Sequence, residues 1–284
     1  VNHPHLRAGE AGRAAPARTD AARGASLRRV ATIARNAFRE AVRDRVLYNL
    51  VLFVLLLTAG AIFLGELSAA QEAKIIVDLG LGAMLLFSVF IAIFVGTGLV
   101  YKEIERRTLY AILAKPVGRG EFLLGKYLGL CLTLAVNVLV MAVGVVLALM
   151  FVRGGYDPLV ARIWPAITLV YVELTIIVAV ALLFSSFSSP ALSALLTFAV
   201  FVIGHFSADL RTLAGAGGST ALRVVCGALF YLLPNLSHYT QITDAGHGVA
   251  PAAATFLAAV VYALVYNAAL LAVATVVFNR RNFK

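Results

Sequence analysis

The chain is poor in charge and in cysteine. Asp, Glu, Lys and Arg make up only 13% of its 284 residues, too little to solvate the surface of a soluble domain of this length. The two cysteines, Cys131 inside an apolar run and Cys226 far from it, offer neither a disulfide framework nor a CxxC metal spacing, and read as small apolar side chains. His3, His5, His238 and His247 make no recognisable metal set, and His205 reads as a hydrogen-bonded structural residue. Acid, nucleophile and metal ligands are nowhere clustered as a membrane enzyme would need. Ser185, Ser186, Ser188 and Ser189 have no base near them in sequence.

What the chain has instead is apolar length. It is 61% hydrophobic with a mean hydropathy of +0.92, and several runs reach the roughly 20 residues that a helix needs to cross about 30 Å of hydrocarbon. The pattern predicts an all-α polytopic membrane protein with six transmembrane helices: Val46 to Leu64, Leu79 to Tyr101, Tyr127 to Val152, Ile163 to Phe184, Pro190 to Ala208, and Ala252 to Phe278. Ala221 to Leu233 carries Arg223, ends at Pro234 and is too short to cross at about 1.5 Å per residue, so it reads as a re-entrant or surface helix before the last span.

Residues 1–25, rich in Ala, Arg, Gly and Pro, read as a disordered tail. Over residues 26–45 the pattern becomes amphipathic. Leu27, Val30, Ala31, Ala34, Phe38, Ala41 and Val42 share one face, and Arg28, Arg29, Arg35, Asn36, Arg39, Glu40 and Arg43 lie opposite, with Ser26 as the N-cap. Such a helix suits a membrane interface, its basic face toward anionic head groups or a soluble partner. Residues 46–284 form the six-span domain.

Charge sets the orientation. Ten basic residues precede the first span, six lie between Lys102 and Lys126, and three follow the last span, against five in the opposite loops. Basic residues accumulate on the cytoplasmic side, so both termini and the Lys102 to Lys126 loop are expected there. The net charge of +10 then reflects orientation, not nucleic-acid binding.

The loop is too charged to cross a bilayer. Glu103, Glu105, Arg106, Arg107 and Thr108 extend the second span by about two turns, and Pro116, Gly118 and Gly120 then break the chain before the third span opens at Lys126. Leu109, Tyr110, Ile112 and Leu113 add an apolar patch beside charges of both signs, the composition of a docking surface. The run Gly120 to Lys126 mimics a phosphate-binding loop, yet Tyr127 stands where Ser or Thr would hold Mg²⁺ and no strand precedes it. The cytoplasmic segments leave no room for a nucleotide-binding domain, so no cofactor is expected on this chain.

The run E-x-E-R-R-T-L from Glu103 to Leu109, K-P-V-x-R-x-E from Lys115 to Glu121, and Gly125-Lys126 resembles the cytoplasmic loop of ABC type-2 transporter permeases. The basic helix, the Ser-rich turn at Ser185 to Pro190 and the L-L-P-N run at Leu232 to Asn235 extend the resemblance over most of the chain. It implies one of two permease subunits, forming a homo- or heterodimer in a prokaryotic cytoplasmic membrane. Each would dock through a coupling helix on a separate ABC ATPase subunit that carries ATP and Mg, with export the expected direction. Glu103, Glu105, Arg106, Arg107, Thr108 and Leu109 would transmit motion, with Lys115, Arg119 and Glu121 fixing the return into the third span.

Within the spans, Glu173 is the one carboxylate deep in a run. A lone acid there must be protonated or paired with another helix or subunit, and it marks a candidate path. Lys126, Thr133, Asn137 and Gly144 share one side of the third span, and Ser193, Thr197, Gly204 and Ala208 one side of the fifth. Stripes of this kind serve close helix packing, with Thr133 and Asn137 as further path candidates. An ion-coupled secondary transporter is the alternative, although it would need internal repeats and several coupled ionisable residues.

Overall fold

The computed structural model describes residues 14–43, 52–53, 55–57, 60, 72–105, 118–156, 158–207, 212, 220–239, 245, 249 and 251–280, excluding the side chains of 14–23, 43, 72, 99–105, 220–222 and 238. The described residues are all-helical apart from turns. In chain order they form α1 (Ala14–Arg43), α2 (Glu72–Glu105), α3 (Arg119–Arg153), α4 (Pro158–Ser185), α5 (Pro190–His205), α6 (Thr220–Leu232), a single 3-10 turn (Ser237–Tyr239) and α7 (Ala253–Arg280).

Four of these helices are long and apolar enough to cross a bilayer: Ala73–Gly98 within α2, and all of α3, α4 and α7. Most of the first predicted span lies outside the described residues. Phe53 and Leu57 within it are buried, Phe53 edge-on to Phe87 of α2. The fifth predicted span is shorter than its apolar run suggests. α5 has 16 residues, about 24 Å of rise against about 30 Å of hydrocarbon, because Phe206 ends the helix and the chain from Pro234 to Leu236 packs back on it. Leu236 donates its N–H to the Gly204 carbonyl at 3.0 Å. A Cβ at Gly204 would meet the Pro234 oxygen at 2.8 Å, so only glycine admits this approach. α6 has 13 residues, as the short apolar segment foretells.

α4 is the hub, packed by α2, α3, α5, α7 and the 3-10 turn. Its sequence is apolar around its whole circumference, which suits a helix enclosed by others. Leu169, Val170, Leu174, Ile176, Ile177 and Val178 are all buried. Small residues let the backbones close up: Gly96 of α2 faces the Ala181 Cβ, and Gly80 faces Val145 of α3. The ends follow from local chemistry. Gly154 takes the left-handed conformation (φ 68°) that closes α3, while Ser189 and Pro190 start α5 after a tight turn in which the Ser188 and Ser193 hydroxyls bond at 2.6 Å.

α1 begins at Ala14, ahead of Ser26, so residues 14–25 are helical where the sequence reads as a disordered tail. Alanine and arginine favour helix, and Pro16 falls in the first turn, where its missing N–H costs nothing. The amphipathic face is read only in part and is covered by protein: α1 lies along the first part of α3, burying Val30, Ala37 and Ala41, while Leu27, Ala31 and Val42 of the expected apolar face are exposed and Arg29 and Glu40 of the expected polar face turn toward α3.

Candidate functional site

Three segments distant in sequence meet at one end of the bundle: α1, the first turns of α3, and the last turn of α7. α3 has 35 residues, about 52 Å of helix, so it outruns the hydrocarbon core and its first turns stand clear of the apolar run. In that polar first turn, Glu121 takes a two-pronged bond from Arg29 of α1, Nε to Oε2 and Nη2 to Oε1, both at 2.9 Å. The Ser26 hydroxyl also donates to Oε1, and the Gly118 N–H reaches Oε2 at 3.4 Å, tying the loop's exit to the same carboxylate. The Arg29 guanidinium and then the Ser26 hydroxyl hold the Glu121 carboxyl down at about 2.

One turn further, the charges reverse. Lys126 of α3 is buried, its Nζ 3.6 Å from Glu40 Oε2 of α1 and 5.9 Å from the Phe122 ring centre. α1 thus gives a cation to Glu121 and a carboxylate to Lys126, which fixes its register along α3. Between and beyond these pairs the backbones nearly touch. A Cβ at Gly125 would lie 2.7 Å from Ile33, and one at Gly129 would lie 2.6 Å from both the Ala34 oxygen and the Ala37 Cβ.

Arg119 joins the third element. Its Nη1 donates to the carbonyls of Phe278 at 3.0 Å and Asn279 at 3.1 Å, supplying a cation and donors where the end of α7 leaves carbonyls unpaired. Phe122 stacks on Phe278 with ring centres 6.2 Å apart. The N-terminal helix, the loop's exit and the C-terminal helix end therefore share one end of the bundle, as the three basic clusters in the sequence require.

Of the predicted loop residues, Glu103 and Glu105 fall in the last turn of α2, with side chains outside the described set. Arg106, Arg107, Thr108, Leu109 and Lys115 lie outside the described residues altogether. Arg119 and Glu121 are placed as above. Arg35 and Arg39 are exposed on the side of α1 away from α3, in line with Arg28; Arg43 ends the helix, its side chain outside the described set. Ser26, expected as an N-cap, sits inside the helix and serves Glu121 instead.

Inside the bundle, Glu173 is fully buried on α4, and its Oε1 lies 3.4 Å from Nε2 of His205 on α5. α5 is thus the helix whose side chain faces Glu173. Asn137 is 1% exposed with neither amide atom hydrogen-bonded among the described residues, while the Thr133 hydroxyl is spent on the Gly129 carbonyl at 2.9 Å. No hydrogen bond joins Glu173 to either, so the structure does not assemble the three into one bonded site. Sequence reading passes over Asn267, whose Nδ2 donates to Thr175 Oγ1 at 2.9 Å and locks α7 to α4. A lone Asn in an apolar run is the signal that could have found it.

The described residues thus form a bundle of apolar helices with a charged junction at one end. Residues 31–283 match the family described as ABC-2 family transporter protein, and the chain belongs to that family. Two relatives are similar to part of it. A Pseudomonas aeruginosa protein named as a probable ABC transporter permease, NosY, is 33% identical over 113 residues, 38% of this chain and 41% of that protein. A protein of the same name from Stutzerimonas stutzeri is 30% identical over 118 residues, 40% of this chain and 43% of that protein. The chain matches about two fifths of the length of each of these curated relatives.

Proposed function

We propose that the chain is the permease subunit of an ATP-driven exporter, working as one half of a homo- or heterodimer in a prokaryotic cytoplasmic membrane with both termini in the cytoplasm. ATP and Mg belong to a separate ABC ATPase subunit, which docks on the loop between α2 and α3. The observation that carries this reading is the junction around Arg119, Glu121 and Lys126. The exit of the loop is bonded to α1 and to the end of α7, so a force on the loop is delivered to three helices at once and not absorbed by a flexible hinge. Glu103, Glu105, Arg106, Arg107, Thr108, Leu109 and Lys115 form the contact surface, Arg119 and Glu121 the rigid return. The exposed Arg35 and Arg39, with Arg43, extend the surface toward acidic groups of the ATPase or of lipid. Thr133, Asn137 and Glu173 are the buried polar side chains of the spans that cargo would meet.

The test is charge reversal at the loop's entry. Glu103→Lys with Glu105→Lys adds positive charge to a side already rich in it, so insertion is retained, while docking of a co-expressed ATPase subunit weakens and ATP hydrolysis uncouples from transport. Arg106→Lys with Arg107→Lys keeps the charge and loses the planar fork, and reduces docking as well. Parent-like docking and transport in both double variants would sink the coupling assignment. Transport by the purified chain alone would favour an ion-coupled carrier.

A further inference from the structure

Glu173 and His205 meet in a place that supplies neither with another polar partner at the facing atoms. Neither carboxyl oxygen of Glu173 nor Nε2 of His205 has a hydrogen bond of normal geometry among the described residues. The other ring nitrogen fixes the tautomer of the neutral imidazole. Nδ1 lies 3.2 Å from the Phe201 carbonyl, which can only accept, so Nδ1 carries the hydrogen and Nε2 of the neutral ring presents a lone pair. That lone pair faces Glu173 Oε1 at 3.4 Å. Two bare acceptors opposed in an apolar interior repel each other, and a single proton between them turns the contact into an attraction.

Among the described residues, no charged side chain other than His205 is in contact with Glu173. Among the described side chains, the titratable groups on the elements packed against α4 are Lys74 and Asp78 on α2, Arg119, Glu121, Lys126, Tyr127, Cys131 and Arg153 on α3, Tyr239 in the 3-10 turn, and Tyr262, Tyr266 and Arg280 on α7, with Arg162 and Tyr171 on α4 itself; Arg119 and Glu121 are bonded at the bundle's end, and Arg153 and Arg280 are the last residues of their helices. Lys126 is engaged by Glu40 at the bundle's end. The phenols and the thiol are neutral near pH 7.

Above the pair the backbone is not helical. Pro234 to Leu236 closes on Gly204, one residue before His205, through the Leu236 N–H. Asn235 and Tyr239 brace that segment, Asn235 donating its N–H to the Tyr262 hydroxyl at 2.9 Å and the Tyr239 hydroxyl donating to the Ala259 carbonyl at 2.8 Å. Irregular backbone at this depth persists only where protein or a watered cavity covers it.

We propose that Glu173 and His205 form a one-proton site: Glu173 is a carboxylic acid that donates to His205 Nε2, and loss of that proton to entering water opens α5 and the Pro234–Leu236 segment away from α4. The ligand is the proton itself. Deprotonation passes the proton to a water molecule as hydronium and leaves a carboxylate facing a lone pair, and further water admitted by the opening solvates the anion. This site does not depend on ATPase docking, so its test is separate from that of the proposed function.

The experiment is infrared spectroscopy on the purified full chain in lipid at neutral pH. A protonated-carboxyl band that disappears in Glu173→Gln and moves to higher frequency in His205→Ala, where its acceptor is gone, is the result expected. If His205→Ala fails to fold, His205→Gln must change the same band. Absence of a Glu173-dependent band, or a band indifferent to both His205 variants, overturns the proposal. As a second readout, a cysteine at Leu236, with Cys131 and Cys226 replaced by Ser, becomes more reactive to a thiol reagent as pH rises in the parent and stays unreactive in Glu173→Gln. An equal rise in both would also overturn it.

Discussion

Gly125 and Gly129 are defined by what a single added carbon would strike. At Gly129 the obstacle is the backbone of α1 and the Ala37 Cβ, neither of which can swing aside as a long side chain would. Gly129→Ala should therefore push α1 off α3 and destabilise the protein by about 1–3 kcal/mol, read as earlier thermal loss of the monodisperse species. Gly82→Ala, with open space around the new carbon, should be neutral or stabilise by up to about 1 kcal/mol. Equal effects of the two would mean that the seam is not close-packed. At this scale the sequence is informative about need and silent about supply. Glu173 in an apolar run announces that it requires a partner, but the 32 positions separating it from His205 leave the partner undefined until the helices are packed. His205 is read from sequence as structural because nothing nearby in the chain points to Glu173.

α1 is the element whose role changes most between sequence and structure. Its periodicity is visible, and Val30, Ala34, Phe38 and Ala41 do lie on the inward side. Whether that face meets lipid or protein is decided by Glu121 and Lys126, more than eighty positions later, which no local pattern encodes. The clamp predicts a contrast between neighbours. Arg29→Ala should free α1 and expose it to limited proteolysis, whereas Arg28→Ala, on the exposed side, should leave the cleavage pattern unchanged. Matching patterns would show that the pair does not hold the helix. The same clamp has a pH signature. A carboxylate held at about 2 in the folded chain contributes fully above its unfolded value near 4.3, and loses that contribution as pH falls from there toward 2. Proteolytic protection of α1 should thus be flat from neutral pH down to about 5, and protection lost within that range would contradict the assignment. α5 is misjudged for a related reason: its apolar run continues to Ala208, and hydropathy does not register that the Pro234–Leu236 segment occupies the space beyond Gly204.

The whole molecule is read from charge as much as from apolarity. α1, the start of α3 and the end of α7 converge in space, in agreement with the side that the basic residues assign to them. A cysteine at Gly118 should be labelled only from the cytoplasm and one at Tyr156, beyond the far end of α3, only from outside. Cys131 and Cys226 are buried and contribute little background. Reversed labelling would overturn the orientation. The loop itself is legible only as composition and motif, because its central residues lie outside the described set, and its docking role rests on the rigidity of its exit. The most direct test of that role is site-directed crosslinking from Gly118, where a side chain is tolerated: the backbone is extended (φ −66°, ψ 141°) and a Cβ meets only the Glu121 side chain, Cγ at 3.7 Å and Cδ at 3.8 Å. A cysteine there should crosslink to a co-expressed ABC ATPase subunit in the parent and lose that crosslink when Glu103 and Glu105 are changed to Lys, while a cysteine at Tyr156 never reacts with it. No crosslink from Gly118, or one that survives the charge reversal undiminished, would contradict the claim that this loop is where the ATPase acts on the permease.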